Sequence, residues 1–272
     1  MNVTLLGTGL MGAPMARRLC ATELAVTVWN RTQEKARPLA EVGATVAGSL
    51  ADAVAGADVV ITMVDHGAAV ADLLFSQGVA HSMRTGSLLI DMSSIKPREA
   101  RDHAQRLSAL GLAALDAPVS GGTVGAAAGT LAIMVGGDTE AFERAGPVFA
   151  PLGRATHVGP AGAGQLAKLA NQMIVGISIG AVAEALLLAE AGGASASGVR
   201  QAIRGGFAES RILEVHGERM VDRDFARRAA LTVQLKDMRN AMETAREMGL
   251  SLPITALFEQ LYASGAEHGF AD

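Results

Sequence analysis

The chain has 272 residues, half of them hydrophobic and only 3% aromatic, with 32 glycines and a formal net charge of −4. That length accommodates two domains or one large one, and the apolar fraction is ample for a packed core. The slight acidity leaves no basic footprint for nucleic acid; Arg227-Arg228 is the densest basic spot and reads as solvated surface.

Met1-Asn2 runs straight into the strand-like Val3–Leu6, so no signal peptide is expected. Further strands are predicted at Ala25–Trp29, Val59–Val64, Ser87–Asp91 and Ala114–Ala117, with helices between them at Met11–Cys20, Gln33–Glu41, Ser49–Ala55, Ala68–Leu74 and Pro97–Leu110. Strands alternating with helices of this length predict a parallel sheet covered on both faces, a doubly wound α/β domain. Ser49 followed by Asp52 resembles a capping box with Asp in place of Glu. Residues 129–137 read as one more strand, Thr139–Phe149 as a helix and Thr156–Val158 as a short strand. Beyond Gly159-Pro160 the pattern is all helical. A long apolar helix ends at Gly192-Gly193, and Ser197–Arg204, Ser210–Met220, Val233–Met248 and Pro253–Ser264 follow. The expected division is therefore residues 1–160, a Rossmann-type domain, and 161–272, a helical domain reached through the long helix.

Leu166–Leu188 is almost entirely Leu, Ile, Val, Ala, Gly and Met, and is expected to be buried along most of its length. Ser178 and Glu184 interrupt it, which argues against a bilayer span. The single cysteine, Cys20, fits a reducing, cytoplasmic setting and excludes an intramolecular disulfide framework. No metal site is expected.

Gly7-Thr8-Gly9-Leu10-Met11-Gly12 follows the first strand and opens a helix. In a dinucleotide fold these glycines serve the tight turn, the approach of the pyrophosphate and close helix–strand packing, and the helix N-terminus offers N–H groups to phosphate. An acidic residue ending the second strand would select NAD(H); this chain has Trp29-Asn30-Arg31-Thr32. Asn30 repels no phosphate, Arg31 pairs with one and Thr32 donates to one, so NADP(H) is preferred, with NAD(H) the alternative. A plain N-cap at Thr32 beside an exposed arginine is the competing reading.

Asp116-Ala117-Pro118-Val119-Ser120-Gly121-Gly122 falls at a strand's carboxyl end, where open α/β sheets bind ligands. Ser120, Gly121 and Gly122 make a plausible carboxylate site or, equally, a simple turn. Lys168, Asn171 and Gln172 share one face of the long helix and need polar company if buried. A lysine snorkelling to solvent is the bland alternative.

Taken together, GTGLMG, DMSSI at 91–95, DAPVSGG at 116–122, GAGQLAKLANQ and Lys236-Asp237 resemble, in order and spacing, the β-hydroxyacid dehydrogenase family. Within it, KLANQ and residues 205–220 most resemble the tartronate semialdehyde (2-hydroxy-3-oxopropionate) reductases. The resemblance implies a Rossmann domain, a helical second domain, an active site between them and a homodimer or homotetramer. It also implies Lys168 as the catalytic lysine, Ser120, Gly121 and Gly122 as the substrate-carboxylate loop, and Asn171 and Gln172 as substrate-holding amides. Ser94 and Lys236 would line the cofactor cleft, with Met63 and Val64 in the loop that passes the cofactor. Asp65 departs from the family's usual proline, and relatives commonly continue beyond Asp272.

The implied chemistry is NADPH-dependent reduction of a small carboxylate-bearing aldehyde, with Lys168 as general acid. 3-Hydroxyisobutyrate dehydrogenase and glyoxylate or succinic semialdehyde reductase are the neighbouring alternatives. A non-catalytic NADP-binding sensor is a remote one.

Overall fold

The computed structural model describes residues 1–226 and 230–271; the Arg227-Arg228 pair lies outside the described residues. Runs of Val, Leu and Ile form β1 (Asn2–Leu6), β2 (Ala25–Trp29), β4 (Val59–Thr62) and β5 (Leu88–Asp91), with the short β3 at Thr45–Val46. Such side chains pack well on a pleated, buried surface. Between them lie α1 (Gly12–Cys20), α2 (Leu50–Val54), α3 (Gly67–Ala71) and α4 (Val79–Ser82). Then come α5 (Pro97–Ser108), β6 (Ala113–Asp116), β7 (Val119–Ser120), α6 (Gly122–Ala128), β8 (Leu131–Gly137), α7 (Thr139–Arg144), α8 (Gly146–Phe149) and β9 (Gly153–Gly159). The strand order is β3-β2-β1-β4-β5-β6, all parallel, continued by β8 antiparallel to β6. β8 also pairs with β7 antiparallel and with β9 parallel.

Alternation along the strands sends Val3, Leu5, Ile61 and Ile90 into one core, against Met15 and Leu19 of α1 and Phe149 of α8. Leu6, Val60 and Leu89 enter the other, against Val54 of α2, Val70 of α3 and Leu107 of α5. Burying one such Leu or Ile contributes roughly 1.5–3 kcal/mol. Both faces of the central strands β1, β4 and β5 are therefore dry, as a parallel sheet requires, and the fold is the expected Rossmann-type doubly wound one.

Several elements differ from the sequence reading for identifiable reasons. Gln33–Glu41 forms two 3-10 turns, Gln33–Lys35 and Arg37–Val42, because Pro38 lacks the N–H an α-helix would need. The helix expected over Thr139–Phe149 splits into α7 and α8 ahead of Pro147. The one over Ala68–Leu74 becomes α3 followed by a π-turn at Asp72–Ser76. Ser49 does cap α2, accepting Asp52 N–H at 3.1 Å. The shorter Asp side chain bonds the Ser49 hydroxyl at 2.7 Å, so the cap closes side chain to side chain.

Beyond β9 come α9 (Ala163–Ala191), α10 (Ala196–Ala202), α11 (Arg211–Val221), α12 (Leu231–Glu247) and α13 (Pro253–Gly265), with no strand among the described residues. Two compact units result, Met1–Lys168 and Leu169–Asp272, and the division falls inside α9. In the second unit, Gly176 of α9 faces Met238 and Gln234 of α12, and Gly180 faces the Phe258 ring of α13. The Tyr262 hydroxyl donates to Gly176 O at 3.0 Å.

The expected burial of α9 is not met. Its most apolar 18-residue window has a mean hydropathy of 1.9, yet only 11% of it is buried. Ile174, Leu187 and Leu188 are exposed. Glycine lets α12 and α13 approach on one side only, and the apolar residues off that side are not covered by the described chain. By length and composition alone the helix is long and apolar enough to cross a membrane.

Candidate active site

The glycine loop lies where β1 is flanked by β2 and β4, the point at which strand order changes direction. Gly7, at φ +103°, donates its N–H to Trp29 O at 2.9 Å. A Cβ on Gly7 would overlap the Met63 carbonyl oxygen, and one on Gly12 would overlap the Gly7 carbonyl oxygen. Gly9 instead faces open space, and Leu10 beside it is exposed. Met11 stands at the N-cap of α1 with no side-chain cap bond. Ala13 N–H donates to Gly9 O at 3.0 Å and Pro14 has no N–H, so of the first turn the Gly12 N–H and the positive end of the helix face a ligand. Two glycines set the backbone and one leaves room above it, an arrangement that fits a dinucleotide pyrophosphate.

Asn30 bridges the loop and the end of β2: its Oδ1 accepts Thr8 N–H at 2.9 Å and its Nδ2 donates to Thr32 O at 2.9 Å. Its amide is thereby spent on the backbone, while Arg31 and Thr32 remain exposed. Thr32 sits at the N-cap of a 3-10 turn without a side-chain cap bond. Met63 and Val64 follow β4; Val64 N–H donates to Ser93 Oγ at 3.0 Å, and half-buried Ser94 comes next.

Past β6 the chain turns through β7 to Ser120, Gly121 and Gly122. Gly121 (φ +136°) and Gly122 (φ +61°) occupy backbone conformations that strain any other residue. Lys168 is buried, 9% exposed, and its ammonium donates to Val119 O at 2.8 Å, beside that turn. Snorkelling to solvent is thus not what this lysine does.

Two residues given no role from sequence fix the start of α9. Asp116, ending β6, accepts Gly162 N–H at 2.7 Å and Gln165 N–H at 2.8 Å. The fully buried Gln165 side chain donates to Ser93 O at 2.9 Å and accepts Ile95 N–H at 3.1 Å. The helix bearing Lys168 is thereby tied to the strand ends that carry the serine–glycine turn and Ser94. The signal was present in DAPVSGG and GAGQLAKLANQ: an acid at a strand end and an amide ahead of the lysine.

Asp91 pairs in register with Asp116 across β5 and β6. Burial pushes its carboxyl up to about 6, against the pull of Ser93 and Thr62, which both donate to Oδ1. Burial also raises Asp116, opposed by the amides it accepts.

In the second unit Asn171 Nδ2 donates to Gln172 Oε1 at 2.9 Å, and Gln172 Nε2 donates to Asp237 Oδ2 at 2.9 Å and to Gln234 Oε1 at 3.1 Å. Lys236 pairs with the buried Asp237 at 3.4 Å. The two amides predicted to hold substrate thus belong to a polar network with α12.

Residues 2–159 match the family described as the NAD binding domain of 6-phosphogluconate dehydrogenase. Residues 162–272 match the one described as NAD-binding of NADP-dependent 3-hydroxyisobutyrate dehydrogenase. The 2-hydroxy-3-oxopropionate reductase of Escherichia coli is 42% identical over 99% of this chain and 92% of its own. The chain belongs to the β-hydroxyacid dehydrogenase family. As a family member it is an NAD(P)-dependent oxidoreductase. Other relatives differ in name: the NAD-dependent L-serine dehydrogenase of Pseudomonas aeruginosa is 37% identical over 100% of this chain and 94% of its own. Among solved structures, Mycobacterium tuberculosis 3-hydroxyisobutyrate dehydrogenase with L-serine superposes with a TM-score of 0.91 at 35% identity, covering 100% of this chain and 96% of that one.

Proposed function

We propose that this dehydrogenase reduces a small β-oxo acid with NADPH, with tartronate semialdehyde to glycerate as the first choice and Lys168 as the proton donor. The observation that carries this reading is the buried Lys168 ammonium held 2.8 Å from Val119 O, beside the Ser120–Gly122 turn. Nicotinamide, when bound, supplies the hydride to the substrate's carbonyl carbon. The lysine then stabilises charge growing on the carbonyl oxygen and delivers its proton there. The Ser120 hydroxyl and the Gly121 and Gly122 N–H groups suit the substrate carboxylate. The family resemblance extends the proposal to Asn171, Gln172 and Lys236 in the second unit and to Ser94 in the first.

NADP(H) is favoured because Arg31 and Thr32 stand exposed just past β2, with no acidic residue there to repel a 2′-phosphate. The likeness to a 2-hydroxy-3-oxopropionate reductase over nearly the whole chain favours the substrate. A second reading, NAD-dependent oxidation of a β-hydroxy acid, is favoured by the L-serine dehydrogenase relative. A homodimer or homotetramer is the proposed assembly, since a second copy would cover Ile174, Leu187 and Leu188.

One panel tests the choice. Purified enzyme is given NADPH or NADH with tartronate, succinic or methylmalonate semialdehyde or glyoxylate, and NADP+ or NAD+ with L-serine or 3-hydroxyisobutyrate. The highest kcat/KM should fall on tartronate semialdehyde with NADPH. A maximum on methylmalonate semialdehyde with NADH, or on L-serine with NAD+, overturns the proposal.

A further inference from the structure

A small cavity lies among α5, β5 and β6, lined by Asp91, His103, Asp116 and Leu107 with small neighbours Ala104 and Ala161. Two side-chain atoms from this lining, Asp91 Oδ2 and His103 Nδ1, are buried and meet no hydrogen-bond partner among the described residues. Asp91 and His103 are themselves only 5% and 6% exposed. Buried polar atoms without partners are rare in folded proteins, because nothing replaces the water they gave up. Two residues of one cavity lining, each with an orphaned polar atom, call for a shared occupant.

The size of the cavity selects that occupant. About 10 Å³ is open to the centre of a water molecule, close to the roughly 10–15 Å³ that one water needs. An organic ligand has no room. A cation would need converging ligands, and among the described residues no group of His, Cys, Asp and Glu is arranged to hold a metal.

We propose that this cavity is an internal water site, in which one ordered water donates to Asp91 Oδ2 and hydrogen-bonds His103 Nδ1. A water serves either imidazole tautomer, since it both donates and accepts. It would extend the bonded series from Thr62 through Asp91 to α5, alongside Asp116, the carboxylate that fixes the start of α9. His103 also lines a larger open pocket with Gly67, Arg98 and Glu99.

A crystal structure of the full-length protein, at a resolution that shows ordered solvent, decides the matter. The expected result is one peak within hydrogen-bond reach of both Asp91 Oδ2 and His103 Nδ1. A dry cavity, a direct Asp91–His103 bond or a metal identified by anomalous scattering overturns the proposal. In His103→Phe, which keeps a ring but removes the polar partner, the peak should vanish. Its persistence unchanged would show that His103 is not a partner. Should that variant fail to fold, the presence or absence of the peak in the unaltered protein still separates a wet cavity from a dry one.

Discussion

The Asp116 carboxylate accepts the Gln165 backbone N–H at 2.8 Å, which makes a strand-end acid the N-terminal anchor of the helix that carries Lys168. A second amide, that of Gly162, reaches the same carboxylate at 2.7 Å. Asp116→Ala strips both buried donors of their acceptor, and an orphaned donor costs about 1–3 kcal/mol. Burial of the charge offsets part of that, so the expected net loss is about 2 kcal/mol, read from the urea midpoint. Asp116→Asn, which keeps one acceptor oxygen, should lose less. An unmoved midpoint in the alanine variant would mean that these amides find other acceptors.

Lys168→Ala should lower kcat by roughly 10² to 10⁴-fold, the range associated with a general acid–base group. NADPH affinity should hold, because the glycine loop and the residues after β2 are untouched. Fluorescence titration separates the two effects. A variant keeping more than about a tenth of wild-type turnover would remove Lys168 from the chemistry.

Arg31→Asp places an acid at the edge of the proposed 2′-phosphate site, where it would bond a ribose hydroxyl and repel phosphate. The ratio of kcat/KM for NADPH over NADH should fall at least about tenfold, a change of about 1.4 kcal/mol. Since Arg31 is exposed, stability should stay within about 0.5 kcal/mol. An unchanged ratio would make Arg31 ordinary surface.

The central strands were legible because a sheet covered on both faces needs apolar runs, and Val59–Thr62 and Leu88–Asp91 fall inside the runs that predict strands; Ala25–Trp29 matches to the residue. The glycine loop was legible because its glycines answer to sterics. Small or irregular elements were not: α6 (GTVGAAA) carries almost no apolar periodicity, and Pro38 and Pro147 altered helices that their neighbours suggested. Asp116 and Gln165 were legible only as an acid at a strand end and an amide ahead of a lysine, because what they bind is backbone, and the side-chain pattern does not say which backbone groups those are. The exposure of α9 was not legible for a related reason, since composition reports how apolar a helix is and not what covers it.

Gly9 and Gly12 should separate nucleotide binding from packing. A Cβ at Gly12 meets the Gly7 carbonyl oxygen, a backbone atom that has no rotamer to escape into. Gly12→Ala should therefore destabilise the fold by about 1–3 kcal/mol. A Cβ at Gly9 meets nothing within 4 Å. Gly9→Ala should keep its melting temperature while NADPH affinity falls, because the new methyl takes the space left for the pyrophosphate. Undiminished NADPH binding by Gly9→Ala would place the phosphates elsewhere.

Asp91 gives stability a pH dependence whose sign follows from its burial. The carboxyl titrates at about 6 in the folded chain, against 3.8 ordinarily. Below the lower value both states are protonated and nothing is lost. Between the two, the folded chain keeps a proton that the unfolded chain has released, so stability declines as pH rises. Above the higher value the full penalty is in place, about 3 kcal/mol for a shift of this size. Asp116, also raised by burial, acts in the same direction. Asn at position 91 does not titrate, and its Oδ1 still accepts from Thr62 and Ser93. Denaturant unfolding of Asp91→Asn and wild type across this range should therefore show a stability difference that moves steadily in the variant's favour from about pH 4 to 7, then levels off. A difference independent of pH would mean that the Asp91 carboxyl ionises in the folded chain as readily as in water.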